Sequence, residues 1–289
     1  MSAVLVGQPP DDTKPAPDDL RLWSVTTLLG ALDKPGLLYW AAEQTAESAV
    51  DHADLIGQRV EREGRAEVVR WLRDARFRRP KDRRSDAALG TAVHAWLERY
   101  VLTGTRPEPD DEMRPMCEAL DRWLQEWQPR WEAAEVTVYH PDLGYAGTLD
   151  GILELDGRRY VYDLKTTRVH ADKRGRRKTP YPETALQLAA YRHAPYAATW
   201  RPRRMEHQRR RYYLLSEEER AMSVPLPEVD GGLCLHVTPE DALAFPMRCG
   251  DDVYRAWRFV IGAARWQLQE SSGAVGDPLM RPDREEVSA

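Results

Sequence analysis

Cysteine is scarce. The 289 residues hold three, Cys117, Cys234 and Cys249, too few and too scattered for a disulfide framework, and a reducing cytoplasm fits them. Long apolar runs are missing too: no stretch approaches the ~18 residues that a membrane span needs. After Val6 the chain turns to Pro and Asp, so no secretory signal is expected. Net positive charge is also absent. A formal charge of −5 excludes a uniformly basic surface that wraps nucleic acid, though not one whose positive charge gathers on one face. Lysine is rare among the basic residues, with 6 Lys against 36 Arg. Arginine stays protonated whereas a lysine is a compact charge whose pKa can be tuned, which favours a chemical role for an isolated lysine such as Lys165.

What remains is ample for a core, at 42% hydrophobic residues. Residues 1–19 are rich in Pro and Asp and read as a disordered arm, and 271–289 as a flexible tail. Residues 20–270 read as one domain, mainly helical over 20–132 and α/β over 133–270. Apolar spacing predicts a capped helix after Ser24, a break at Pro35-Gly36 and a second helix to about 47. More helices are predicted near 48–63, 65–77, 86–102 and 111–131. The period then changes, with strands over 135–139, 210–215 and 233–237, a helix over 182–193 and a last helix over 250–270. Trp71, Trp96, Trp123 and Trp257 fall on helix faces and read as core.

The most informative stretch is Gly147-Thr148-Leu149-Asp150 through Asp163-Leu164-Lys165. Asp156-Gly157 between two apolar runs is the preferred sequence of a type I′ turn, so Leu155 pairs with Arg158. Continued at that offset, the ladder sets Asp150 directly opposite Asp163. Facing carboxylates destabilise a sheet unless a cation shares them, and hard divalent ions favour such ligands. Strand alternation puts Lys165 on the face of Asp163. Two carboxylates for a metal and an adjacent ammonium suit phosphodiester hydrolysis. The bland alternative is a solvated strand pair.

Two further spacings bear on this site. Gln187 and Tyr191 share one face of the 182–193 helix, and Gly90 and His94 one face of the 86–102 helix. An imidazole suits manganese-like metals, and a glycine one turn away admits a close neighbour. Taken singly, each also reads as ordinary packing.

In order and approximate spacing, Gly90-x-x-x-His94, Gly147-Thr148-Leu149-Asp150, Asp163-Leu164-Lys165-Thr166-Thr167 and Gln187-x-x-x-Tyr191 resemble the RecB-type exonuclease branch of the PD-(D/E)XK nucleases. The Ser24-Val25-Thr26-Thr27 opening and the 233–237 strand resemble its small stand-alone bacteriophage and bacterial versions. The likeness spans about residues 22–270. It implies an α/β fold with a restriction-endonuclease-like core, a central mixed β-sheet flanked by helices, carrying a helical N-terminal half. It implies a Mg²⁺- or Mn²⁺-dependent deoxyribonuclease, an exonuclease of phage or bacterial recombination or repair. By position, His94, Asp150, Asp163 and the Leu164 carbonyl would hold the metal and Lys165 would be the catalytic lysine. Gln187 and Tyr191 would support the site, and Glu135 matches an additional acid whose role stays open. Some relatives carry an iron–sulfur cluster on four cysteines; three dispersed ones imply none here. The implied partner is DNA, with single- or double-stranded ends, and a recombinase or single-strand-binding protein beside it. Arg168, Lys173, Arg174, Arg176, Arg177 and Lys178 after the lysine, and Arg201, Arg203, Arg204, Arg209, Arg210 and Arg211 after the helix, are candidate phosphate contacts. A DNA-end-binding or partner-recruiting module without catalysis, and a structure-specific endonuclease, stay open as alternatives.

Overall fold

A computed structural model describes residues 18–33, 35–74, 84–172, 174–200, 202–207 and 210–278. Most of the expected arm, the end of the tail, Lys173, Arg201 and Arg209 lie outside the described residues. Elements run in the order β1 (Leu20–Ser24), α1 (Val25–Leu29), α2 (Pro35–Asp51), α3 (Ala53–Glu63), α4 (Arg65–Arg73), α5 (Asp86–Thr103) and α6 (Arg114–Trp127). Next come β2 (Arg130–His140), β3 (Tyr145–Leu155), β4 (Arg158–Thr166), α7 (Glu183–Arg192), β5 (Tyr196–Ala197), β6 (Arg203–His207) and β7 (Arg210–Leu215). The last are α8 (Glu217–Met222), β8 (Val224–Pro225), β9 (Gly231–Val237), β10 (Ala242–Met247) and α9 (Asp251–Arg265).

The strands form one mixed sheet in the order β10-β9-β4-β3-β1-β7-β6, with β2 also on β3, β5 beyond β2 and β8 beyond β5. Strand β1 runs parallel to β3, and β4 parallel to β9. Apolar stripes at helical spacing cover both faces. On α5 and α6, Leu89, Val93, Trp96, Leu97, Met116, Leu120 and Trp123 bury against Leu153, Tyr162, Leu164 and Leu235. On the other face α1, α7 and α9 bring Leu28, Leu188 and Trp257 onto Val138, Tyr145, Leu149 and Val161. Each such side chain contributes roughly 1.5–3 kcal/mol of transfer free energy. Trp96, Trp123 and Trp257 are core, as read from the sequence. Trp71 is only half-buried, against His52 and under the Arg59 guanidinium. Among the described residues no helix is long and apolar enough to cross a membrane.

The capped helix after Ser24 is present, since the Ser24 hydroxyl accepts from the Thr27 N–H at 3.1 Å, but it is one short turn preceded by a strand. That strand starts at Leu20, and just before it the buried Asp19 carboxylate pairs with Arg203 at 2.8 Å. Strand β2 begins at Arg130 rather than 135, because Gln128 ends α6 in the left-handed conformation at φ 43°. Trp131 packs edge-on to Tyr162.

Gly151 closes the hairpin's tight end. A Cβ there would lie 2.3 Å from the Ala133 carbonyl oxygen and 2.6 Å from the Tyr162 ring, and a backbone atom cannot swing aside. Gly262, on exposed α9 with nothing within 4 Å, is the contrast. Gly151→Ala should cost about 2 kcal/mol or more, while Gly262→Ala should stabilise by about 0.5–1 kcal/mol, read as urea midpoints at constant slope.

Candidate active site

The hairpin turn forms as the sequence predicts. Asp156 and Gly157 both take positive φ, 50° and 74°, and Leu155 pairs with Arg158. The ladder then continues to Gly151–Tyr162 and stops, one pair short of the expected Asp150–Asp163 pair. The reason lies on the other edge of β3. Leu149 and Ile152 both join the core on the α7/α9 side, as do Ala133 and Val136 of β2. Residues three apart on one face mean that alternation slips on both strands at the same level. Glu135 sits at that slip with φ 51°, a left-handed conformation that costs a non-glycine residue about 1–2 kcal/mol. The β2–β3 register sets it opposite Asp150. Released from the ladder, Asp150 turns its Oδ2 to the Leu164 N–H at 2.5 Å, where a strand partner would otherwise be.

Strands β1 and β4 share the remaining edge of β3. Strand β1 pairs at Tyr145 and Ala146, β4 from Gly151 onward, and Gly147–Asp150 lie in the gap between them. Gly147 faces inward, with the Tyr191 Cε1 only 2.5 Å from where its Cβ would be. The missing side chain seats α7 against the gap.

Helix α5 enters on the opposite side. Ser85 caps it by accepting from the Ala88 N–H at 2.8 Å, and its buried stripe orients His94 toward the gap. His94 Nδ1 stands 3.3 Å from Asp150 Oδ1. At Gly90 the close neighbour expected from the sequence is the Thr166 hydroxyl, 3.0 Å from a would-be Cβ. One ligand atom each from His94, Glu135 and Asp150 lies within 4.8 Å of the others, all three half-buried. A cavity of ≈500 Å³ opens beside them, lined also by Leu164, Lys165, Thr166 and Asp86.

Asp163 takes a different set of partners. Only 3% exposed, its Oδ2 lies 2.5 Å from Lys165 Nζ and its Oδ1 accepts from Gln187 Nε2 at 2.8 Å. The same Gln187 amide donates to the Tyr191 hydroxyl at 3.0 Å, and its oxygen faces Lys165 Nζ at 3.4 Å. The sequence-predicted Asp163, Lys165, Gln187 and Tyr191 are therefore one hydrogen-bonded group, and His94, Asp150 and Glu135 a separate cluster of possible ligands. Asp150 on Leu164 N–H joins them.

Electrostatics separate the two carboxylates. Burial alone would lift Asp150, but the His94 charge and the Leu164 N–H hold it below the ordinary carboxylate range. Burial raises Asp163 to about 6, outweighing Lys165, with the Asp150 charge adding to the rise. His94 stands above its usual value because Asp150 more than offsets its burial, and Asp163 raises Lys165 against its burial in the same way. Asp163 Oδ2 makes no well-oriented hydrogen bond although it is buried. A nitrogen and a surplus of carboxylate oxygens are a donor set that a divalent cation fits.

The basic candidates divide. Arg168 is bound to Asp86 at 2.7 Å, to Glu112 at 2.8 Å and to the Arg84 carbonyl, clamping the end of β4 to the start of α5. Arg176 pairs with Asp172, Arg177 with Asp241 and Arg203 with Asp19. Phosphate contact by any of these would compete with those carboxylates. Arg174 and Arg204 are exposed, and Lys178 is half-buried. Sequence reasoning missed the Arg168 clamp and the Thr137–Thr148–Tyr213 hydroxyl chain, linked at 3.1 Å and 3.1 Å across the gap. It also missed His236, whose Nε2 meets the Thr167 hydroxyl at 2.9 Å behind the lysine strand. The facing hydroxyls at 137 and 148 were the one available signal.

A sequence model of the PD-(D/E)XK nuclease superfamily matches residues 68–244, more than half the chain and all four paired motifs. The chain belongs to the PD-(D/E)XK nuclease superfamily. That membership implies a metal-dependent nuclease acting on DNA, and the His94, Glu135 and Asp150 cluster is where its metal-ligand chemistry concentrates. No curated protein matches the sequence. Among solved structures it is similar to one titled "Crystal structure of SSO0001", at 13% identity over 67% of this chain and 80% of that one. The TM-score is 0.29, and this distant likeness adds nothing to the family assignment.

Asp163 gives the pH prediction. A carboxyl whose folded pKa is raised costs stability once ionised, so the cost is absent below about pH 4 and complete above about pH 6. An asparagine side chain mimics the protonated form. In metal-free protein the melting temperature of Asp163→Asn relative to that of wild type should therefore be higher at pH 7.5 than at pH 4.5, whatever its absolute sign. Added Mn²⁺ should narrow the difference at pH 7.5. A pH-independent difference would remove burial as the source of the shift.

Proposed function

We propose that this chain is a Mg²⁺- or Mn²⁺-dependent deoxyribonuclease of the RecB-type branch. It acts as an exonuclease on DNA ends in bacterial or bacteriophage recombination or repair, in the cytoplasm. The observation that carries the reading is the gathering of His94, Glu135 and Asp150 at an open cavity that His94, Glu135 and Lys165 line. His94, Asp150, Asp163 and the Leu164 carbonyl would hold the ion, and Glu135 joins them on its proximity. Bound there, the ion supplies Lewis acidity to a phosphate oxygen. The chain's own residues do the rest. Asp150 holds the Leu164 backbone in place, so the carbonyl and the lysine of the same strand keep a fixed relation to the acids. Lys165, charged and beside Asp163, stabilises negative charge building on the phosphate. Gln187 fixes the Asp163 carboxylate with one N–H, and buried Tyr191 fixes Gln187. A buried carboxylate 2.5 Å from a lysine, next to a cluster of metal-ligand atoms, favours catalysis over a module that only binds DNA ends.

The direct test incubates the protein with end-labelled linear DNA and with closed circular DNA, in Mg²⁺, Mn²⁺ or chelator. Cleavage of linear DNA alone is expected; cutting of the circle would convert the assignment to an endonuclease. Lys165→Ala should lower turnover about 100-fold or more while changing DNA affinity little. Undiminished turnover would remove the lysine from the chemistry. His94→Ala should lose Mn²⁺ activation more than Mg²⁺ activation, since Mg²⁺ favours an all-oxygen shell. An unchanged metal preference and rate would make His94 a packing residue.

A further inference from the structure

Away from the metal cleft lies another concavity with a chemical bias. Two adjoining cavities of ≈350 and ≈250 Å³ meet at Arg210 and Leu268, between α1, the starts of β1 and β7, and the turn after α9. Arg21, Arg210, Arg211 and His207 line them, and no carboxylate does among the described residues. In a chain of net charge −5 that local excess of positive charge is an exception. Among the described residues, Arg211 alone of the three arginines is neutralised, by Glu206 at 3.0 Å. Arg210 reaches only the Leu268 carbonyl there, at 3.5 Å.

Arg21 is the most telling. Its guanidinium lies 4.0 Å from the Tyr212 ring centroid and 4.8 Å from that of Trp23, and it is exposed on its outer side. A guanidinium held against aromatic rings keeps its charge and is a group that stacks on bases and binds phosphates. Thr27 fixes the floor: its hydroxyl accepts from the Arg211 N–H at 2.9 Å and donates to the Arg211 carbonyl at 3.2 Å. The groove lies on the α1/α9 side of the sheet, while the metal cleft opens beside α5. Trp23 pairs with Tyr145, five residues before Asp150 on β3, roughly 17 Å at about 3.3 Å per residue, so the two sites are separate.

We infer that this groove is a second nucleic-acid site, a track for the sugar-phosphate backbone of a single strand, with Arg21 and Arg210 as its phosphate contacts. That a strand held here is also a substrate of the metal cleft rests on the nuclease reading; the chemistry of the groove does not. The cavities are too small for a duplex, and their stacked arginine suits an unpaired strand.

The test measures anisotropy of a labelled twenty-nucleotide oligothymidylate with metal-free protein across a salt titration. Arg21→Gln/Arg210→Gln should weaken binding about tenfold and flatten the log–log salt slope by about 1.4, since each single-strand phosphate contact contributes about 0.7. Blunt duplex of equal length should be affected little, and the Mn²⁺-induced melting shift should not change. Because Arg21 covers two rings, its loss could unfold the corner, so Arg210→Gln alone is the second variant, with half the slope change. Unchanged affinity and slope in both variants would overturn the groove. So would equal loss on duplex, or abolition of the difference by thymidine 5′-monophosphate, which would assign a mononucleotide site. Strand binding through the groove without any cleavage would overturn the nuclease reading and leave the groove standing.

Discussion

The structure turns on one edge of β3 being claimed by two strands. Strand β1 arrives from one end and β4 from the other, and neither covers Gly147–Asp150. An exposed strand edge inside a domain leaves backbone groups unpaired, and the protein resolves this with side chains. Asp150 takes the Leu164 N–H that the ladder leaves behind. The same carboxylate then faces His94. One unpaired backbone amide thus fixes the distance between the helical layer and the lysine strand.

Charge is concentrated at that gap at some cost to stability. Asp163 is buried next to Asp150 and sits opposite Lys165, and Glu135 occupies a backbone conformation its side chain disfavours. Removing one partner from such a group leaves an uncompensated buried charge, which costs several kcal/mol, so its members are interdependent. The neutral shell answers this. Gln187, Tyr191 and Thr166 supply hydrogen bonds and volume without adding charge.

Turn chemistry made the hairpin legible: Asp156-Gly157 set the register, and it held through Gly151. Helical spacing likewise put His94 on α5 and paired Gln187 with Tyr191 on α7. The His140–Gly144 turn, continued as a register, would have set Glu135 opposite Asp150; the left-handed flip that presents it has no sequence signature in a glutamate. Strand β1 was hidden because its last residue, Ser24, is also a helix cap. Strand β10 carries Pro246, which argues against a strand except at a sheet edge, where β10 lies. The arginine ion pairs were unreadable for another reason. Arg168 finds Asp86 and Glu112 more than fifty positions away, and only the fold brings them together.

Helices α2, α3 and α4 pack chiefly on one another, and α3 buries none of its residues while Leu55, Val60 and Val69 stay exposed. The sheet strands, by contrast, are sandwiched between two cores. Stability in such a molecule is graded, with local opening easiest where few apolar contacts close the structure. Amide protons of α3 should therefore exchange through small openings of that helical unit, and those of β2, β3 and β4 only as the whole domain unfolds. That would mount the acids and the lysine on the slowest-exchanging strands.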